Sequence, residues 1–308
     1  MAKSKFPLTA AFFALALIVC TVVRYLQYYS VIKPDNGFFI YDGGFLVHAY
    51  YLLFAVFAAG LVGLAIVDGR AKRGILKNKP ASVSGGRKLS EIQSVTGAVL
   101  SAVCGFFLAL ELVDALGKNS SLISLIAMSL AALGFTFVAY VIFTKRSLVP
   151  VTAIAFLFIA AYFVFEAAAE FMQRIYTVNL SARLIVLSVN LLLSLFFLTV
   201  GRITVRSEGR FTAILATIFG YSLVLLALSD AASRLLYYSY CHQDDRAVAD
   251  ALLTNNNGFT LPQPLFIAQA IMVLWFVFAL SSKKREKKYE HEKVDENEEI
   301  EVNKEADS

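Results

Sequence analysis

Charge, cysteine and histidine are all scarce in this sequence, and each scarcity removes a class of protein. Asp, Glu, Lys and Arg make up 17% of the 308 residues, against about 25% in a typical soluble domain. Mean hydropathy is +0.66, so a water-soluble globular domain is excluded. The cysteines Cys20, Cys104 and Cys241 are too few and too scattered for a disulfide framework. Three histidines, with His291 in an acidic tail, leave little to ligate a metal. The run Cys241-His242-Gln243-Asp244-Asp245 offers only adjacent loop residues, which rarely converge on zinc without further ligands. No Walker loop, nucleophile elbow, HExxH or dinucleotide fingerprint is present. No catalytic residue, metal or cofactor is therefore expected, and no nucleic-acid partner. Proline is confined to helix entries (Pro7, Pro150, Pro262, Pro264) and loops (Pro34, Pro80), whereas carriers commonly break helices at the bilayer midplane.

What the chain does have is long apolar runs. Eight are long enough for the roughly 20 residues that cross a bilayer as a helix, at about 7–27, 45–67, 94–116, 121–144, 149–172, 183–201, 211–233 and 263–282. A membrane barrel would alternate apolar and polar residues in segments of about 10; these runs do not. The expected fold is all-α, a polytopic membrane bundle of eight helices forming four parallel-oriented hairpins. Lys3 and Lys5 precede the first run, no small-x-small cleavage site follows it, and an uncleaved first helix is expected. Gly60, Gly63, Gly105, Gly134 and Gly220 suit close helix packing.

Basic residues set the expected orientation. Alternate loops collect Lys3, Lys5, the 70–88 loop (Arg70, Lys72, Arg73, Lys77, Lys79, Arg87, Lys88), Lys145, Arg146, Arg202, Arg206, Arg210 and the 283–288 cluster. The opposite side holds only Arg24, Lys33, Lys118, Arg174, Arg183, Arg234 and Arg246. The positive-inside rule puts both termini in the cytoplasm. Ten tyrosines, Tyr25, Tyr28, Tyr29, Tyr41, Tyr50, Tyr51, Tyr176, Tyr237, Tyr238 and Tyr240, fall near outer helix ends and read as an interfacial belt. The segment 283–308 is basic and then acidic, with almost no apolar residue, and is expected to be a disordered cytoplasmic tail. Its basic part and the 70–88 loop suit anionic lipid headgroups, and an unknown protein partner is also compatible. Residues 244–253 read as a short capped helix on the outer surface.

Three runs end with an acid four residues before a base: Asp114/Lys118, Glu170/Arg174 and Asp230/Arg234, with Arg24 alone at the equivalent place in the first. That order favours a helix by roughly 0.2–0.5 kcal/mol, so these pairs are read as structural. Glu170-Phe171-Met172-Gln173-Arg174 resembles part of the Glu-Glu-x-x-x-Arg motif of prenyl-endopeptidase-like intramembrane proteases. Ala169 stands where that motif needs its first Glu, and no later helix brings the required histidines. Glu111 and Glu166 have no base four residues on, and ionisable groups inside a membrane mark function by default. Both are candidate ligand-binding residues, with Arg24, His48, Asn190 and Gln269 in the same outer halves. The chain reads as a bacterial plasma-membrane sensor, scaffold or assembly module with an outward-facing polar pocket. A carrier or channel using the outer-half carboxylates is the alternative, and a membrane-embedded enzyme comes third.

Overall fold

The computed structural model describes residues 6–32, 44–76, 89, 91–117, 121–145, 150–172, 181–205, 212–244 and 264–281. They form eight helices: α1 (Phe6–Ser30), α2 (Gly44–Leu76), α3 (Glu91–Gly117), α4 (Leu122–Lys145), α5 (Thr152–Met172), α6 (Ser181–Thr204), α7 (Thr212–Asp244) and α8 (Pro264–Ser281). An apolar chain in lipid must satisfy its backbone internally, and a helix does so within one segment. Seven helices are long and apolar enough to cross a membrane. The eighth, α8, is shorter, with an apolar stretch over Pro264–Ala279.

Local chemistry sets several helix starts. Gly44 opens α2 at φ 54°, a backbone conformation that favours glycine. Ser121 caps α4 by accepting the Ser124 amide on Oγ at 3.2 Å, and the Pro150 carbonyl accepts the Ala153 amide at 3.0 Å as α5 begins. Hydroxyls within the helices bond to carbonyls one turn back, as Ser129 does to Leu125 (2.7 Å) and Thr136 to Ala132 (2.9 Å). Such bonds let Ser and Thr sit in an apolar run without an orphaned donor.

Two boundaries differ from the sequence reading. Helix α2 continues past the apolar run to Leu76, so the first part of the 70–88 loop is helical. Helix α7 continues past 233 to Asp244. The α7 extension contains neither glycine nor proline, and that of α2 contains Gly69 and Gly74 but no proline, so a helix that is already nucleated continues in both. The short helix expected at 244–253 falls, apart from Asp244, outside the described residues. So do the 283–308 tail, residues 77–88, Tyr41 and Tyr176.

Six helices close a ring in which α3, α4, α5, α6, α7 and α8 each pack on the next, and α8 returns to α3. Helix α8 turns one set of side chains into the ring. Met272, Val273, Phe276 and Val277 are fully buried, and Phe276 meets Phe156 of α5 and Phe196 of α6 at 5.7 and 6.3 Å between ring centroids. Phe197 joins them by stacking on Phe156 at 5.9 Å and meeting Phe135 edge-on at 5.7 Å. These offset and edge contacts are the favourable aromatic geometries. Helices α1 and α2 pack on each other and reach the ring through α7.

Glycine permits close approach at most of the expected places. A side chain at Gly60 would strike Phe12, at Gly134 Ile159 and the Ala155 carbonyl, and at Gly220 Val277 and Phe196. Gly63 departs from the expectation, because nothing lies within 4 Å of it. Gly63 is exposed.

Candidate functional site

The densest polar chemistry joins α1 to α7. Arg24, fully buried, donates from Nε to Asp230 Oδ1 at 2.9 Å. Its Nη1 donates to Gln27 Oε1 at 2.8 Å and its Nη2 to the Tyr28 hydroxyl at 3.1 Å. The guanidinium carbon also stands 4.6 Å from the Tyr28 ring centroid and 5.1 Å from that of Tyr50, a cation–π arrangement that gains strength where water is excluded. Asp230 answers with both oxygens. Oδ1 also accepts the Tyr28 hydroxyl at 2.7 Å, and Oδ2 meets Arg234 Nη2 at 2.7 Å. Arg234 Nε donates to the same Tyr28 oxygen at 3.1 Å. Tyr28 is therefore the hub, giving one proton to the carboxylate and accepting from both arginines.

Helical spacing explains why these side chains meet. Gln27 and Tyr28 follow Arg24 at i+3 and i+4, so the three share one face of α1. Ser229, Asp230, Ser233 and Arg234 share a face of α7 by the same rule. Gln27 carries the network to α2 by donating Nε2 to the Leu46 and Val47 carbonyls at 2.8 and 3.1 Å. Tyr50 of α2 and Ser229 of α7 share a hydrogen bond of 2.8 Å, and Ser233 donates to the Thr21 carbonyl of α1 at 2.8 Å. Helices α1 and α7 are thus clasped by charge-assisted bonds, which are the strong ones, and neutral hydrogen bonds tie α2 to both.

Arg24, alone on its own helix, thus has an acid partner 206 residues away in sequence. The tyrosine belt also needs correcting. Tyr28 and Tyr50 are fully buried and Tyr237 is 7% exposed, because their hydroxyls or rings serve the clasp instead of the lipid interface. Tyr28 stacks on Tyr237 at 6.1 Å. Tyr29 and Tyr240 are exposed and pair edge-on at 5.5 Å, which suits an interfacial position.

A second polar locus lies between α3 and α5. Glu111 and Glu166 are close enough for their charges to interact, and Asp114 acts on Glu111. Both glutamates are partly buried, and among the described residues neither makes a hydrogen bond or an ion pair. Each stands six residues before the last residue of its helix, about 9 Å below the end at 1.5 Å per residue. Tyr162, one turn earlier on α5, is 5% exposed. It interacts electrostatically with both glutamates, and among the described residues its hydroxyl has no hydrogen-bond partner.

Comparison of the chain with protein-family models, with curated proteins and with solved structures finds no match.

The remaining candidates do not assemble with either locus. His48 is exposed near the start of α2. Asn190 is 8% exposed on α6 and Gln269 2% exposed on α8, and Gln269 Nε2 has no partner among the described residues. Lys118 and Arg174 lie outside the described residues, so of the three acid–base pairs only Asp230/Arg234 can be followed. Gln27, Tyr28, Tyr50, Ser229 and Ser233 were missed by the search for charges. The signal for the first two was their i+3 and i+4 spacing from a buried arginine.

Proposed function

We propose that the protein is a non-catalytic plasma-membrane module, a sensor, scaffold or assembly factor that binds its ligand in a polar pocket open to the outer side. In this reading eight helices span the bilayer and both termini are cytoplasmic, as the excess of basic residues on one set of loops supports. The observation that carries it is the division of the charged groups. Arg24, Asp230 and Arg234 are consumed in holding helices together, whereas Glu111 and Glu166, close enough for their charges to interact, have no hydrogen bond or ion pair among the described residues. A carboxylate in hydrocarbon costs several kcal/mol, and two whose charges interact, neither with a base, serve something other than packing. The same pair supports the second reading, a carrier for a small solute or ion, in which Glu→Gln replacement at both positions abolishes coupled uptake.

The outward pocket is tested by thiol accessibility. In a chain with Cys20→Ala, Cys104→Ala and Cys241→Ser, cysteine is introduced as Glu111→Cys or Glu166→Cys. A membrane-impermeant maleimide added to intact cells is expected to label both variants. Labelling only in inside-out vesicles would overturn the reading.

A further inference from the structure

One helical turn before Glu166, α4 and α5 leave a groove of about 190 Å³. Ile126 and Leu130 of α4 and Phe158, Ala161, Tyr162 and Phe165 of α5 line it. Its mouth opens sideways, because Ile126 is 51% and Phe165 51% exposed on the outer surface of the bundle. In a membrane that surface is lipid. Tyr162 belongs to both features: it lines the groove and interacts with Glu166 and Glu111. An apolar slot open to the bilayer therefore ends at Tyr162, a buried residue whose hydroxyl makes no hydrogen bond among the described residues and which lies one helical turn from Glu166.

We infer that this groove and the Glu111–Glu166 pair form one binding site for an amphiphile with a cationic ammonium head, which enters laterally from the bilayer. The inference rests on the ligand-binding reading above and names the ligand class. Charge complementarity selects the head. Glu111 and Glu166 offer two carboxyl groups close enough for their charges to interact, with no base paired to either among the described residues. A bare divalent ion fits the donor set less well, since two carboxylates and a phenol fall short of the six to eight oxygens that Ca²⁺ takes. Size selects the tail. Complete small-molecule pockets run to roughly 300–1,000 Å³, so this groove accommodates a segment of alkyl chain while the rest stays in lipid. The phenol of Tyr162 adds an aromatic face of the kind that favours alkylammonium groups.

The test uses the full-length chain in phosphatidylcholine nanodiscs and radiolabelled dodecyltrimethylammonium as the probe. Saturable binding is expected, weakened at least tenfold by Glu111→Gln or Glu166→Gln and at least fivefold by Ala161→Phe, which fills the groove. Glu111→Asp keeps the charge and should bind within threefold of the native chain, which separates loss of the site from loss of fold. Tetramethylammonium, a head without a tail, should compete at least tenfold more weakly than the probe. Equal binding by the native and Glu→Gln chains would overturn the inference, as would absence of binding by the native chain. Equal competition by tetramethylammonium would also overturn it, leaving a plain cation site. In each case the maleimide experiment still decides separately whether the pocket opens outward.

Discussion

Replacing Asp230 by Asn is expected to lower the unfolding free energy by about 3–5 kcal/mol, the cost of breaking a buried ion pair by removing one partner. Asparagine keeps the shape but not the charge, so Arg24 and Arg234 would face each other across the Tyr28 hydroxyl without the carboxylate they share. The Tyr28 oxygen, which accepts from both, would then gather two cations with no anion beside it. Arg24→Met should cost less, because Asp230 keeps both Arg234 and the Tyr28 hydroxyl. That asymmetry separates a carboxylate-centred clasp from a row of independent pairs. Thermal or denaturant unfolding of the three chains in one detergent measures it directly. Equal losses for the two variants would show that Asp230 is not the centre.

Gly97→Leu is the second substitution with a large expected effect. Even a Cβ at Gly97 would overlap the Trp275 ring of α8, and the ring cannot swing clear as the end of a flexible chain would. Met272, on the same helix, lies against Ser101 of α3, so a shift of Trp275 pulls on the interior of the six-helix ring. Overpacking of this kind costs roughly 1–3 kcal/mol. Gly97→Leu combined with Trp275→Leu should recover more than half of the loss, since the second change makes room for the first. The coupling is read from a double-mutant cycle. Additive losses would mean that Gly97 and Trp275 do not share the contact.

The helices were legible because lipid imposes one strong rule. A run of about 20 apolar residues has little choice but to be a helix, and the apolar runs do appear as helices. Less legible was how far α8 reaches into the ring. Helix α8 is the shortest and its apolar residues run all round it, so periodicity offers no face to compare. Its reach follows from Phe276 and Met272 finding partners on three other helices. The clasp was half legible. Asp230/Arg234 follows from i,i+4 spacing, but Arg24 to Asp230 spans 206 residues, and no local pattern records such a pairing. Tyrosines near helix ends were assigned to the lipid interface on amphipathic character alone. That argument cannot distinguish a phenol facing headgroups from one, like Tyr28, facing a buried arginine. The absence of a base four residues after Glu111 and Glu166 was visible from the start; their proximity across two helices was not.

The division of charged residues into a structural clasp and an unpartnered pair makes one comparison decisive. Thermal unfolding in nanodiscs is followed for the native chain, for Asp230→Asn and for the double variant Glu111→Gln with Glu166→Gln. The double variant should unfold at or above the native temperature, because it removes two half-buried carboxyl groups that make no hydrogen bond or ion pair among the described residues, the trade expected of a functional site. Asp230→Asn should unfold well below it. If the double variant falls as far as Asp230→Asn, then Glu111 and Glu166 hold the bundle together, and the division fails.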